Sequence, residues 1–137
     1  MDIDKIQQKA EEMRILNLGV MKDGKILLKK DWDGEIRRNQ YSASKSFTSI
    51  AVGMACKEGL LSLDEKLCEA FEEEMPDNPS SFLCLATVRD LLTMCLGQDS
   101  VYLMGEQRPL MEEKDWVRFT LSRPFTQEPD THFLYNN

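Results

Sequence analysis

Ile3, Ile6, Ala10 and Met13 recur at helical spacing, which predicts an amphipathic helix from Asp2 to about Arg14. Two short apolar runs follow, Ile15 to Met21 and Lys25 to Lys29, with Asp23-Gly24 between them. Asp-Gly favours the tight turn that joins two strands, so this stretch predicts a β-hairpin. A second Asp-Gly, Asp33-Gly34, ends the pairing, and polar residues follow to Gln40. From Ser42 to Glu58 the period is helical again, with Phe47, Ile50, Ala51, Met54 and Ala55 on one stripe and Gly59 as the stop. Leu60 to Leu67 reads as a turn into a short helical piece, and Met75-Pro76-Asp77-Asn78-Pro79 as a loop. Thr87-Val88-Arg89-Asp90 resembles a capping box with Asp in place of Glu, opening a helix through Leu91, Leu92 and Cys95 to Gly97. A last helix is expected from about Glu112 to Leu121, ended by Pro124. Helix, hairpin, then a helical block is an α+β order. We read it as one domain over residues 1–137, with a helix and hairpin in 1–40 and a helical part in 41–137.

Composition narrows the class of partner. The chain of 137 residues is 42% hydrophobic and 30% charged, the balance of a globular protein with a core. A net charge of −7 lacks the basic footprint that phosphate backbones select, so nucleic acid is not expected as a partner. No apolar run reaches the roughly 18 residues of a membrane span, and Met1-Asp2-Ile3-Asp4-Lys5 is not the start of a secretory signal. These features predict a cytoplasmic chain with no membrane partner. Cys56, Cys68, Cys84 and Cys95 are widely spaced, with one histidine to join them, and read as small core residues rather than a zinc site. The acidic run Glu69, Glu72, Glu73, Glu74 and Asp77 reads as a solvated face, not a metal site.

The candidate chemistry begins at Ser42-Ala43-Ser44-Lys45, an S-x-x-K motif. Residues three apart share a helix face, so the Lys45 amine can approach the Ser42 hydroxyl. A serine is a poor nucleophile until a neighbouring base takes its proton. A lysine serves as that base when burial or positive charge favours its neutral form. The backbone N–H at a helix start also points to where an oxyanion would form. Chance supplies about 0.7 such motifs in a chain this rich in Ser and Lys, so the motif gains meaning only from its context.

That context is a resemblance. Tyr41-Ser42-Ala43-Ser44-Lys45-Ser46-Phe47-Thr48-Ser49 is similar to the nucleophile segment of class C-type β-lactamases and related esterases. Glu58-Gly59-Leu60-Leu61-Ser62-Leu63-Asp64 resembles the turn that leaves their first catalytic helix, and Thr87 to Met94 their next helix. Pro129-Asp130-Thr131-His132-Phe133-Leu134-Tyr135-Asn136-Asn137 resembles the second family motif, Y-x-N. The strands expected from Gly19 to Lys30 match those that precede the nucleophile helix. The chain thus resembles the N-terminal part of the serine β-lactamase and penicillin-binding protein superfamily over nearly its whole length.

The resemblance implies a β-lactamase-like fold and acyl transfer through a Ser42 acyl-enzyme. Lys45 and Tyr135 would manage protons and Asn137 would position the substrate, with no cofactor and no metal. The substrate would be a small molecule: a β-lactam, a D-amino-acid peptide or an ester. Asp130 stands where the family commonly has glycine; if φ is positive there, aspartate tolerates it better than most residues. Neither Lys22-Asp23-Gly24, in the hairpin turn, nor His132, followed by Phe133-Leu134, supplies the family's third motif, K-T-G or H-x-G. The chain is therefore expected to be truncated before the family's C-terminal strands and inactive alone; the competing reading is a catalytically silent fragment or interaction module. His132 is read as a surface or packing residue, not a triad member. Without partner strands the apolar hairpin residues Ile15, Leu16, Leu18, Ile26, Leu27 and Leu28 lack cover, so self-association through the hairpin is expected.

Overall fold

The computed structural model describes residues 2–105 and 110–137. In chain order the elements are α1 (Ile3–Glu12), β1 (Asn17–Lys22), β2 (Lys25–Asp31), α2 (Ser44–Lys57), α3 (Leu67–Ala70), α4 (Ser81–Leu85), α5 (Val88–Leu92) and α6 (Trp116–Leu121). Single 3₁₀ turns lie at Tyr41–Ala43 and Glu72–Glu74. The α+β class expected from the sequence is the one observed. Contacts divide the chain into two compact units, Met1–Tyr41 and Ser42–Asn137.

In the first unit, Asp2 caps α1 by accepting from the Lys5 amide, and the helix closes with Arg14 in the left-handed region at φ 55°. The Ile15 amide then reaches back to the Ala10 carbonyl, which turns the chain into β1. Lys22 and Lys25 flank the hairpin turn, and both turn residues have positive φ, Asp23 at 50° and Gly24 at 73°. That is the turn whose twist matches the flanking strands, and Asp-Gly is the pair that tolerates it. The register shifts between Val20 and Met21: Val20 faces Leu28 but Met21 faces Ile26, so Leu27 is the extra residue of a bulge. Trp32 donates to the Glu11 carboxylate at 3.1 Å and its amide to the Leu16 carbonyl at 3.0 Å, tying the chain after β2 to α1 and to the start of β1. Ala10 is the buried apolar residue of this unit, and Leu16, Met21, Ile26 and Leu27 are exposed.

The second unit holds the larger core, in two clusters. Leu67, Ala86 and Val88 form one, packed by Val52, Leu61, Leu63 and Leu92; Leu83, Leu121 and Phe125 form the other, with Met75 and Phe82. Phe71 and Leu96 pack against both clusters and join them. Thr87 and Asp90 complete the reciprocal cap at the start of α5, as the sequence predicted, with Asp in the role of Glu. The helix end differs from expectation. α5 stops at Leu92 rather than running to Gly97, because Met94 turns left-handed at φ 61° and the Cys95 amide bonds back to the Asp90 carbonyl at 2.8 Å. α6 likewise begins at Trp116 rather than near Glu112, since Asp115 caps it through the Arg118 amide.

The stripe on α2 is a second difference. Phe47, Ile50 and Met54 are exposed, at 74%, 62% and 59%, whereas Val52 packs into the first cluster and Ala55 and Cys56 are half-buried. α2 carries apolar residues around most of its circumference, so periodicity alone does not select a face. Of the face formed by Lys45, Thr48, Ser49 and Val52, spaced by three and four residues, Val52 packs into the core, Lys45 is half-buried, and Thr48 and Ser49 are exposed. α2 ends as predicted: Gly59 has φ 74°, and the Gly59 and Leu60 amides return to the Cys56 and Ala55 carbonyls. The four cysteines are free and half-buried. Among the described residues no helix is long and apolar enough to cross a membrane.

Candidate active site

The site lies wholly within the second unit, at the start of α2. Tyr41 is left-handed at φ 47°, its amide held at 2.9 Å by the Asn39 side chain. This conformation is unusual for a tyrosine, which is the first residue of the 3₁₀ turn that carries Ser42. The Ser42 hydroxyl does not cap α2; the cap position is Ala43, with no side-chain bond. Instead Tyr135 Oη donates to Ser42 Oγ at 2.5 Å, and Lys45 Nζ lies 3.5 Å from the same oxygen. Lys45 Nζ also donates to Asn137 Oδ1 at 2.7 Å and sits 5.5 Å from the centre of the Tyr135 ring. The four residues singled out from the sequence, separated by up to 95 positions, are thus within reach of one another.

What brings Tyr135 and Asn137 to Ser42 is a pair of backbone segments that run side by side. The Gly97 carbonyl accepts from the Thr126 and Gln127 amides, and Gln98 pairs with Phe125 as an antiparallel bridge. Further along, the Asp130 amide bonds to the Cys95 carbonyl and the Leu134 amide to the Met94 carbonyl. Asp130 has φ 64°, so aspartate does occupy a left-handed position where glycine would be the easier residue. His132 is exposed and lies before this segment reaches Ser42, in accord with its reading as a surface residue. The helical end of α5 at Met94 therefore has a positional consequence: the carbonyl it frees anchors the residue before Tyr135.

The middle residue of the Y-x-N motif is the one the sequence left without a role. Asn136 Nδ2 donates to Gln98 Oε1 at 2.9 Å, and its Oδ1 accepts from the Tyr102 and Asn137 amides. Gln98 is only 3% exposed, and its Nε2 donates to the Thr120 carbonyl at 3.1 Å. Asn137 Nδ2 in turn donates to the Leu103 carbonyl at 2.8 Å and meets Met104 Sδ. Asp99, by accepting the Tyr102 hydroxyl proton, holds that phenol above its ordinary ionisation range; burial adds to this. Gln98 and Asn136 were missed because their pairing is mutual: Gln98 belongs to no motif, Asn136 is the unspecified middle of Y-x-N, and the pair forms only where residues 98 and 136 meet.

A buried amide with both ends engaged is costly to remove, since each orphaned partner loses about 1–3 kcal/mol. Gln98→Leu orphans both the Asn136 amide and the Thr120 carbonyl and is therefore expected to destabilise the unit by about 2–6 kcal/mol in urea unfolding. If Gln98 acts through Asn136, the double variant with Asn136→Ala will be less destabilised than the sum of the two single variants. Additive losses in that cycle would show that Gln98 does not position the motif.

No cluster of His, Cys, Asp or Glu that could hold a metal occurs among the described residues. The arrangement is a hydroxyl with an adjacent phenol, an ammonium group and a carboxamide, the equipment for proton transfer at a serine rather than for ligating an ion. No curated protein matches the chain. The family model described as Beta-lactamase matches residues 3–137, from the first helix through the Tyr135-Asn136-Asn137 segment, and on that match the chain belongs to the beta-lactamase family.

Proposed function

We propose that this is a serine hydrolase of the β-lactamase and penicillin-binding type, class C-like in its motifs, in which Ser42 forms an acyl-enzyme. The observation that carries the reading is the 2.5 Å contact between Tyr135 Oη and Ser42 Oγ, with Lys45 Nζ 3.5 Å away. Ser42 Oγ attacks the carbonyl carbon of a β-lactam, D-amino-acid peptide or ester, and its proton passes to Tyr135 as the phenolate or to Lys45 as the neutral amine, whichever of the two is deprotonated beforehand. The new C–O bond gives a tetrahedral intermediate, whose oxyanion the backbone N–H of Ser42 would receive. Collapse breaks the bond to the leaving group, which takes up the proton, and water then releases the acyl group by the same steps in reverse. Where Tyr135 is the base, a protonated Lys45 supports its oxygen and the oxyanion by charge. Asn137, fixed by Lys45 and the Leu103 carbonyl, offers its amide to the substrate.

The test is covalent labelling with a fluorophosphonate and with a penicillin, followed by peptide mapping. Turnover by this chain alone is expected near background, since the third motif is not supplied; in a site complemented with that motif the label is expected on Ser42 and absent from Ser42→Ala. Labelling of Ser44 or Ser46 in its place, or none with either probe, would refute the assignment and favour a silent scaffold.

A further inference from the structure

Residues 63–67 run antiparallel to residues 85–89. The Arg89 amide bonds to the Leu63 carbonyl at 2.9 Å, the Val88 amide to the Glu65 carbonyl at 3.1 Å and the Leu67 amide to the Ala86 carbonyl at 3.0 Å, and Lys66 faces Thr87 as a bridge. Cys68 of α3 and Cys84 of α4 lie one and two residues beyond the Leu67–Ala86 bond. The Cys68 thiol donates to the Cys84 carbonyl at 3.7 Å. Among the described residues no hydrogen bond joins any other two of the four cysteines. We propose that Cys68 and Cys84 are a redox modification site, closed by a peroxide into a reversible disulfide that staples α3 to α4.

Paired antiparallel backbone holds opposite Cα atoms about 4.5–5.5 Å apart, inside the span of about 4.4–6.8 Å that a disulfide accepts. The two cysteines leave that pairing side by side, and a turn of the Cys84 side chain about χ1 brings the sulfurs together. Neither thiol is committed elsewhere. Neither belongs to an apolar cluster, the bond from the Cys68 thiol is a weak one, and the Cys84 thiol donates to no described residue. Both are half-buried, within reach of a small neutral oxidant. An acidic disulfide such as oxidised glutathione would instead meet the charge of Glu69, Glu72, Glu73 and Glu74. In the reaction one thiolate attacks the O–O bond, giving a sulfenic acid and a hydroxide that takes up the thiol proton as water. The second sulfur attacks the sulfenic sulfur, the S–S bond forms, the S–O bond breaks, and a second water leaves. Two thiols thus give up two hydrogens while one peroxide becomes two waters. A dithiol reverses the bond by exchange. The loop it closes carries Phe71, which packs against both clusters, so the staple restrains the segment that joins them.

The experiment treats the folded chain with stoichiometric hydrogen peroxide and reads intact mass, which should fall by about 2 Da. Cutting after Glu and after Lys and Arg, without reduction, should yield residues 67–69 joined to residues 75–89. In urea, loop closure favours the closer pairs Cys56–Cys68 and Cys84–Cys95, so there the links should scramble. The same mixture from folded chain, or over-oxidised thiols with no link, would overturn the site. Closing the loop should raise the thermal midpoint by about 10 °C, and dithiothreitol should return it to the reduced value. An unchanged or lowered midpoint would show that the folded unit does not accommodate the bond. Cys68→Ser and Cys84→Ser should each abolish both the link and the shift, and either one suffices if the other does not fold. A shift that persists in a folded variant would overturn the assignment.

Discussion

Lys45→Ala is expected to reduce acylation of Ser42 by about three orders of magnitude while leaving the fold in place. The side chain of Lys45 is joined to Ser42, Tyr135 and Asn137, and it packs no residue of either apolar cluster. Its loss leaves Tyr135 beside Ser42 with no cation near the developing charge, and frees the Asn137 carbonyl oxygen from its donor. Alanine is also the better helix former, so α2 itself is not weakened. The labelling rate of Ser42 with a fluorophosphonate, measured alongside a thermal melt, separates the two effects. A rate within threefold of the parent would remove Lys45 from the proton-transfer machinery. Lys45→Arg separates the two roles: a guanidinium keeps the charge but cannot serve as the base, so a rate that stays low assigns the base to Lys45 and a restored rate assigns it to Tyr135.

Gly97→Ala should be the most damaging small substitution in the second unit. Gly97 has φ 81°, and a Cβ there would lie 2.1 Å from the Gln127 carbonyl oxygen. The obstructing atom is backbone, so the clash cannot be relieved by turning a side chain. It falls on the residue whose own amide, together with that of Thr126, donates to the Gly97 carbonyl. Left-handed strain together with parting of the two segments should cost about 3 kcal/mol or more, a large share of a small domain's stability. Because those segments carry Gln98 and lead to Asn136, Ser42 acylation should fall with stability. Gly53 is the matched control. It lies inside α2 with open space where its Cβ would be, so Gly53→Ala should stabilise by about 0.5–1 kcal/mol. Urea unfolding of the two variants decides the matter, and a Gly97→Ala protein within 1 kcal/mol of the parent would show that the segments tolerate separation.

Local chemistry made much of this molecule legible without coordinates. The hairpin turn could be read because few residue pairs accept positive φ twice in succession, and Asp23-Gly24 is one of them. The start of α5 could be read because Thr87 and Asp90 satisfy each other within a single turn. Gly59 closed α2 for a similar reason: the bonds that end a helix are made by the residues at that end. The S-x-x-K spacing placed Lys45 near Ser42 by helix geometry alone, before any tertiary contact is considered. Ser42, Lys45, Tyr135 and Asn137 could be singled out together only through likeness to a family, since no periodicity joins residue 42 to residue 135.

The tertiary structure decided the rest, and in each case two distant parts of the chain had to meet. The face of α2 that packs is chosen by what Lys45 and Val52 reach, not by the richest apolar stripe, which leaves Phe47, Ile50 and Met54 exposed. α5 ends at Leu92 because the Met94 carbonyl is needed by the Leu134 amide, a bond across 40 positions. Gln98 and Asn136 find their hydrogen-bond partners in each other, across segments that meet only in the folded unit. Sequence carries what a residue does to its own turn of backbone. Which of its faces meets hydrocarbon, and which amide completes its hydrogen bonds, is settled by packing among residues that the chain does not place side by side.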